Sequence, residues 1–155
     1  MISASRGATT GVKPRSAGFT LIEVLIVVVI VGILLSVALP GYQESMRKGR
    51  RADAKAALMD VANKQERLML DRSRYTADMR ELGFAADPMI SEEGHYSVDR
   101  VVSGTCPVAS LTCYALRATP VAGGAQAGDT RCATFTLDST GARGASGTAP
   151  AGECW

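Results

Sequence analysis

The chain is poor in aromatic side chains and almost lacks histidine. Phe, Trp and Tyr make up 5% of its 155 residues, and His95 is the single histidine. Because large aromatic side chains supply much of the area that a folded core buries, their scarcity predicts a small soluble core. His95 has no Ser or Cys nucleophile partner at a recognisable motif, and the sequence has no phosphate-binding loop. The sequence therefore predicts neither an enzyme nor a bound cofactor.

Polar side chains are nearly absent from one N-terminal stretch. Between Leu21 and Leu39 the polar residues are Glu23 and Ser36, and Pro40 ends the stretch. A helix over residues 19–39 would be about 32 Å long at about 1.5 Å per residue, which matches a bilayer core of about 30 Å. The stretch therefore predicts a transmembrane helix, with a helix kink at Pro40 because proline cannot donate the helical hydrogen bond.

A cleavable secretory signal is the alternative interpretation of this stretch. Residues 1–18 are basic, and Ser36-Val37-Ala38 has the small-x-small pattern of a cleavage site. However, the apolar run exceeds the usual signal core of about 7–15 residues. It also contains Glu23, and a carboxylate at membrane depth costs several kcal/mol, so it usually has a partner and a task. An acid that reaches the bilayer edge without a partner is the other interpretation of Glu23.

Cysteine is confined to the C-terminal third, at Cys106, Cys113, Cys132 and Cys154. An even number of cysteines beyond a membrane segment predicts two disulfides and an oxidising compartment, which places this part of the chain outside the cytosol. A zinc site would need closely spaced pairs, and the spacings of 7 and 22 do not fit one. We therefore expect no bound metal, and we favour the sequence-adjacent pairs Cys106–Cys113 and Cys132–Cys154.

The charge of the chain gives no strong signal for a polyanionic partner. The formal net charge is +2, and residues 19–155 carry 14 basic and 15 acidic side chains, since three of the 17 basic ones precede them. The densest basic run consists of Arg47, Lys48, Arg50 and Arg51. Basic residues that follow a membrane segment more often contact lipid headgroups or acids of a neighbouring protein. DNA is therefore an unfavoured alternative partner.

Beyond the apolar stretch the sequence predicts an α+β domain. Helix-forming residues continue from Gly41 to about Arg72, and Thr76 is expected to cap a short helical turn that ends at Gly83. One face of the long helix is apolar and holds Leu58, Val61, Ala62, Gln65, Leu68 and Met69. Alternating segments predict strands at Tyr96–Val98, Tyr114–Ala118, Ala133–Leu137 and 142–146. The expected fold is a long N-terminal helix packed on a small antiparallel sheet.

The junction before the apolar run, Ala17-Gly18-Phe19-Thr20-Leu21-Ile22-Glu23, resembles the processing site of type IV prepilins. The basic leader and the proline at the end of the run match that family as well. The resemblance implies that a prepilin peptidase cleaves between Gly18 and Phe19 and that the same enzyme N-methylates Phe19. It also implies that Glu23 neutralises the Phe19 amine of a neighbouring subunit during assembly.

Weaker similarity to minor pilins of the PilE type covers most of the remaining chain. It is carried by Gln65–Arg67, Arg74–Thr76, Leu82-Gly83, Tyr114–Pro120, Phe135–Asp138 and Cys154-Trp155. The implied organisation is a leader at residues 1–18, a transmembrane and assembly helix at residues 19–40, and a periplasmic or filament-exposed pilin domain at residues 41–155. This leader is long for its class, and a start at Val12 is the hypothesis that would give a typical leader.

The resemblance implies a structural subunit of a type IV pilus. The favoured interpretation is a minor pilin needed for pilus assembly and for twitching motility, adhesion or DNA uptake. A major pilin or a secretion-system pseudopilin is the first alternative, although pseudopilins often lack a C-terminal disulfide, and a DNA-receptor pilin is the second. The implied partners are other pilin subunits, the inner membrane, the prepilin peptidase and methyltransferase, and an inner-membrane assembly platform. The implied location is the inner membrane, with a periplasmic C-terminal domain, and then the extracellular pilus.

Overall fold

The computed structural model describes residues 18–103, 106–150 and 152–155, and the leader expected at residues 1–17 lies outside them. The chain divides into two compact units, Met1–Pro40 and Gly41–Trp155. The elements are helix α1 (Leu21–Arg72), a 3₁₀ helix (Met79–Leu82) and strands β1 (Met89–Ile90), β2 (Tyr96–Arg100), β3 (Ala115–Pro120), β4 (Thr134–Asp138) and β5 (Arg143–Ser146). A helix followed by sequential strands is the α+β arrangement that the sequence predicts.

The described part of the first unit is residues 18–20 and the N-terminal part of α1. The side chains described from Phe19 to Leu39 are all exposed. Within the described residues, α1 is the one helix long and apolar enough to cross a membrane, with a mean hydropathy of 3.1 in an 18-residue window. The helix assignment runs through Pro40, and the kink there stays a prediction.

In the second unit α1 buries one face in a core that it shares with the sheet. The buried positions after Asp53 recur at helical spacing and are Ala54, Ala57, Leu58, Val61, Ala62, Gln65 and Leu68. This confirms the predicted packing face, and Met69 lies partly buried beside it. The helix ends at Arg72, after which Ser73 adopts a left-handed φ of 55° and donates its N–H to the Met69 carbonyl at 2.8 Å.

The five strands form an antiparallel meander in the order β1-β2-β3-β4-β5. Val98, Ala118 and Phe135 lie in register across β2, β3 and β4, and all three are fully buried. On the opposite face, Asp99 and Arg117 are paired and exposed. This alternation is typical of an antiparallel sheet with one face on a core and one face in water.

Most of the predicted strand positions agree with the structure. β2, β3, β4 and β5 cover most of the four expected segments, with Tyr114, Ala133 and Ala142 falling immediately before β3, β4 and β5. Tyr114 is nevertheless buried, as its place in the alternation predicts. β1 was not predicted, because a strand of two residues is too short to show alternation; it pairs with Val98 and Ser97.

Asp78, not Thr76, caps the short helix. Asp78 Oδ1 accepts the Arg80 N–H at 2.8 Å, and Gly83 closes the helix with a φ of 84°. The prediction of Thr76 as the cap is wrong because Gln65 fixes the Thr76 backbone in the preceding loop. Gln65 Nε2 donates to the Thr76 carbonyl at 2.7 Å, and the Thr76 N–H donates to Gln65 Oε1 at 3.0 Å.

Two disulfides hold the segments around the sheet. They join Cys106 to Cys113 and Cys132 to Cys154, with Cα–Cα distances of 5.8 and 5.7 Å. These are the sequence-adjacent pairs that the sequence analysis favours. The second bridge brings the C-terminus to the start of β4, where the Trp155 ring meets the Phe135 ring edge-on with centroids 6.0 Å apart.

Candidate assembly site

The start of α1 brings Phe19 and Glu23 to one surface groove. The helix begins at Leu21, and Thr20 Oγ1 accepts the Glu23 N–H at 3.3 Å. Threonine followed three residues later by glutamate is the pattern of a helix N-terminal capping box. Phe19 is 82% exposed at one end of the groove. The groove has a volume of about 290 Å³ and is lined by Phe19, Glu23, Val24, Val27 and Val28.

Glu23 is the one ionisable side chain from Gly18 to Leu39. Its place in the first helical turn is electrostatically favourable, because backbone N–H groups give the helix N-terminus partial positive charge. The remaining side chains of the groove are apolar, so once lipid or another protein covers the groove, a cation in it would meet a carboxylate with little water around it. The groove is therefore suited to bind one positive group carried on an apolar partner.

The apolar side chains around this groove have no cover within the described residues. None of the apolar window of α1 is buried. Contiguous exposed apolar surface of this extent marks a membrane-contacting or protein-contacting segment. Lipid and the helices of other subunits are the two environments that can cover it.

The basic run of the sequence separates into two environments. Arg47 and Lys48 are exposed and Arg50 is half-buried, but Arg51 is 4% exposed. Arg51 Nε and Nη2 donate to the two carboxylate oxygens of Asp129 at 2.6 and 2.9 Å. Its Nη1 also lies 3.6 Å from the Glu44 carboxylate. Arg51 therefore serves the fold and does not belong to the exposed basic surface.

The Arg51–Asp129 pair fixes the segment between β3 and β4 to the helix. Burial alone would raise the pKa of Asp129. The hydrogen bonds from Arg51 and from backbone N–H groups outweigh burial and hold this pKa below its ordinary value. The hydrogen bond to Asp129 likewise raises the pKa of Arg51 against the opposing effect of burial. Sequence reasoning missed Asp129 because it is separated from Arg51 by 78 positions and belongs to no local pattern.

The single histidine has a peripheral place. His95 Nε2 lies 3.6 Å from a Glu93 carboxylate oxygen, and the Glu93 side chain is 65% exposed. Across the described ranges, no group of three or more His, Cys, Asp or Glu side chains could hold a metal ion. Phe19 and Glu23 are therefore the sequence-predicted residues that the structure brings together in one candidate site.

Two family matches together cover residues 13–136. Residues 13–39 match the family described as "Prokaryotic N-terminal methylation motif". Residues 40–136, more than half of the chain, match the family described as "Type IV minor pilin ComP, DNA uptake sequence receptor". The chain belongs to the type IV pilin family.

Curated relatives of this pilin include a fimbrial protein and a major pilin. It is 34% identical over 116 residues to "Fimbrial protein EcpC" of Eikenella corrodens, which covers 74% of this chain and 71% of the relative. It is 36% identical over 75 residues to "Type IV major pilin protein PilA" of Myxococcus xanthus (strain DK1622), which covers 48% of this chain and 34% of the relative. The chain therefore spans about a third of the Myxococcus protein and most of the Eikenella protein.

A solved pilin shows the same fold. The crystal structure of the Neisseria meningitidis non-core minor pilin PilV superposes with a TM-score of 0.51 at 23% identity, covering 69% of this chain and 93% of that chain. The predicted pilin-like fold is confirmed. Type IV pilins are structural subunits of pilus-like fibres, and the N-terminal helix of this member is long and apolar enough to cross a membrane.

Proposed function

We propose that this pilin is a minor subunit whose Glu23 pairs with the mature N-terminus of a neighbouring subunit during pilus assembly. The observation that carries the proposal is the apolar groove shared by Phe19 and Glu23 at the start of α1. An amine released on Phe19 would be positive at neutral pH. In apolar surroundings each charge alone is costly and a pair is tolerated, so the pairing sets the register of subunits more than it adds net stability.

Cleavage between Gly18 and Phe19, followed by N-methylation of Phe19, would create that N-terminus. Residues 13–39 match the N-terminal methylation motif, which supports this step. Gly18, Phe19 and Thr20 are exposed and precede the helix, so the bond to be cut lies in accessible, non-helical backbone. A prepilin peptidase and methyltransferase, an assembly platform in the inner membrane and other pilin subunits are the corresponding partners.

The domain organisation follows from the same proposal. Residues 1–18 are a leader, residues 19–40 anchor and later assemble the subunit, and residues 41–155 face the periplasm and then the fibre surface. The two disulfides support an oxidising compartment for residues 41–155. The role is structural rather than catalytic.

Glu23→Ala tests the pairing directly. We expect the variant to be processed and inserted in the membrane but absent from sheared filaments, because the neighbour's amine would then be buried without a counter-charge. Ser36→Ala is the matched control, since it removes a polar group from the same helix whose hydroxyl already donates to the Ile33 carbonyl at 2.7 Å. Immunoblots of sheared filaments and membranes measure both, and normal Glu23→Ala levels in filaments would refute the pairing.

The abundance of the subunit in pili tests whether it is a minor or a major pilin. Quantitative mass spectrometry of sheared pili should find this chain as a trace component, as expected of a minor pilin. A dominant amount would identify a major pilin instead. Presence in a secretion-system fibre and absence from pili would support the pseudopilin alternative.

A DNA-receptor pilin is the second candidate function. The observation that favours it is the match of residues 40–136 to the DNA uptake sequence receptor family. This match supports DNA binding more strongly than the net charge of the chain does. A gel-shift titration of the Gly41–Trp155 unit with duplex DNA at several salt concentrations tests it. A receptor would bind with an affinity that falls steeply with salt and that prefers one sequence, whereas no binding at low salt would exclude this role.

A further inference from the structure

A second groove lies at the N-terminal end of the Gly41–Trp155 unit. It has a volume of about 390 Å³ and is lined by Tyr42, Gln43, Met46, Arg47 and Arg50 of α1 and by Ala125 of the segment between β3 and β4. We call it the basic groove. Its volume lies within the range of known small-ligand sites, about 300–1,000 Å³.

The helical face of the basic groove changes from apolar to basic along the chain. Tyr42, Met46 and Arg50 recur at four-residue spacing and therefore lie on one face. Tyr42 is 66% exposed and Met46 is 42% exposed. An exposed tyrosine directly after an apolar span is the side chain that membrane proteins place at the lipid–water interface.

The two cations of the basic groove have few hydrogen-bond or ion-pair partners among the described residues. Arg47 makes no ion pair or hydrogen bond with any described residue, and Arg50 makes one long hydrogen bond, from Nη1 to the Ala125 carbonyl at 3.5 Å. Glu44 is the one acid from Gly41 to Arg51, and its carboxylate lies 3.6 Å from Arg51 Nη1. The four basic side chains of residues 47–51 therefore outnumber the two nearby acids, Glu44 and Asp129, and two of these four line the groove.

The loop wall of the basic groove is formed in advance. Successive turns hold it, because the Gly124 N–H donates to Val121 and the Ala127 N–H donates to Gly124, each at 3.0 Å. The Arg51–Asp129 pair then fixes the end of this loop to the helix. A preformed site binds its ligand without the entropic cost of ordering a loop.

We propose that the basic groove binds the phosphate of an anionic phospholipid headgroup while the subunit is anchored in the membrane. Arg47 follows Gly41 by about 9 Å of helical rise at about 1.5 Å per residue, and a headgroup layer is about 5–8 Å deep on each side of the hydrocarbon core. The long arginine side chain can reach back from this position to the level of the phosphates. A guanidinium donates two parallel hydrogen bonds to phosphate oxygens, so two arginines can hold one phosphate. Tyr42 and Met46 would contact the glycerol and upper acyl region.

Charge and chain position together favour a lipid over a protein partner. The groove follows the apolar span directly, and basic side chains beside a span are attracted to anionic lipid surfaces. Entry into a fibre removes the subunit from lipid, so the site acts before assembly and is vacated on extraction. An acid of a neighbouring subunit is the competing occupant that the experiment must separate.

The test uses the full chain in zwitterionic micelles, titrated with short-chain phosphatidylglycerol. Side-chain Nε–H resonances of Arg47 and Arg50 and the Ala125 amide report binding by NMR. Short-chain phosphatidylcholine and inorganic phosphate are the two comparison probes. We expect saturable shifts at these three positions with phosphatidylglycerol and at least tenfold weaker binding of both comparison probes.

Two variants with the same change of charge locate the site. Arg47→Gln combined with Arg50→Gln should weaken phosphatidylglycerol binding at least tenfold, since each cation near an anionic surface contributes several-fold to affinity. Lys48→Gln combined with Arg67→Gln removes two exposed cations that do not line the groove. It should weaken binding by at most about fivefold, because Lys48 alone of the two lies near the membrane surface and attracts the lipid without contacting it. Thermal unfolding of each variant shows whether its fold is retained.

Three results would overturn the proposal. Equal weakening by both variants would mean diffuse attraction without a groove. Equal affinity for phosphate and phosphatidylglycerol would remove the lipid as the source. A groove variant that binds lipid normally but fails to enter filaments would assign Arg47 and Arg50 to a neighbouring subunit.

Discussion

In the membrane segment Thr20 and Glu23 interact across 3 positions, whereas in the second unit Arg51 and Asp129 interact across 78 positions. The first contact belongs to one helical turn and depends on nothing that follows it. The second joins a helix to a loop that comes after three strands, so it forms only when the whole unit folds. The polar contact of the span therefore depends only on neighbouring residues, while that of the pilin domain depends on cooperative folding.

Arg51→Gln should have the largest effect on the second unit. The substitution leaves the Asp129 carboxylate 4% exposed without its cation, and removing one partner of a buried pair costs about 3–5 kcal/mol. Denaturant unfolding of the Gly41–Trp155 unit, followed by the fluorescence of its single tryptophan, measures the loss. Arg50→Gln is the neighbouring control and should change the free energy of unfolding by less than about 0.5 kcal/mol. Similar losses in both variants would contradict the separation of Arg51 from the exposed run.

Removal of the disulfide that closes the longer loop should cause the next largest loss of stability. Cys132→Ala combined with Cys154→Ala opens a loop with a sequence separation of 22, which costs about 3 kcal/mol in the chain-entropy model. Cys106→Ala combined with Cys113→Ala opens a separation of 7 and should cost about 2 kcal/mol. Unfolding midpoints of the two variants under oxidising conditions give the comparison. A larger loss from the shorter loop would show that local strain or packing, not loop length, decides the effect.

The same contrast explains what the sequence could and could not predict. The span, the packing face of α1 and the alternation of β2, β3 and β4 follow periodic patterns within a few residues, and the structure agrees with them. Thr76 is not the cap because Gln65, eleven positions earlier, fixes its backbone. Local helix-capping preferences do not reveal such a contact. Arg51 looks equivalent to Arg47 in the sequence, but only Arg51 is buried and paired with the distant Asp129. Phe19 and Glu23 are four residues apart at the start of α1, so their proximity follows from local chain geometry, and their role in assembly stays a prediction.

Alkaline pH should weaken the second unit through a buried phenol. Burial raises the pKa of Tyr96 to about 12 from its ordinary value of about 10. Between these values the unfolded chain loses the proton and the native chain keeps it. Stability is therefore complete below about pH 10 and falls by roughly 2–3 kcal/mol as pH rises to about 12.

Tyr96→Phe tests the source of this alkaline loss. The variant should retain more of its stability between pH 10 and 12 than the natural chain does. Burial also raises the pKa of Tyr114 above its ordinary value, so part of the loss should remain. Free energies of unfolding measured across this range provide the comparison, and identical pH profiles would assign the loss to other groups.

Thr20→Ala should have the smallest effect on stability, and this effect should be limited to the start of α1. The substitution removes the hydroxyl that accepts the Glu23 N–H at 3.3 Å, and loss of a helix cap costs about 1 kcal/mol. In micelles, hydrogen exchange of the Glu23 amide should therefore become about fivefold faster. Ser36→Ala lies in the same helix but removes no cap, so it should leave that rate unchanged. Because the cap serves one helical turn, the unfolding midpoint of the Gly41–Trp155 unit should stay the same in both variants. A shifted midpoint in Thr20→Ala alone would show that the start of α1 is energetically coupled to the pilin domain, and the contrast between local and long-range stabilisation would then fail.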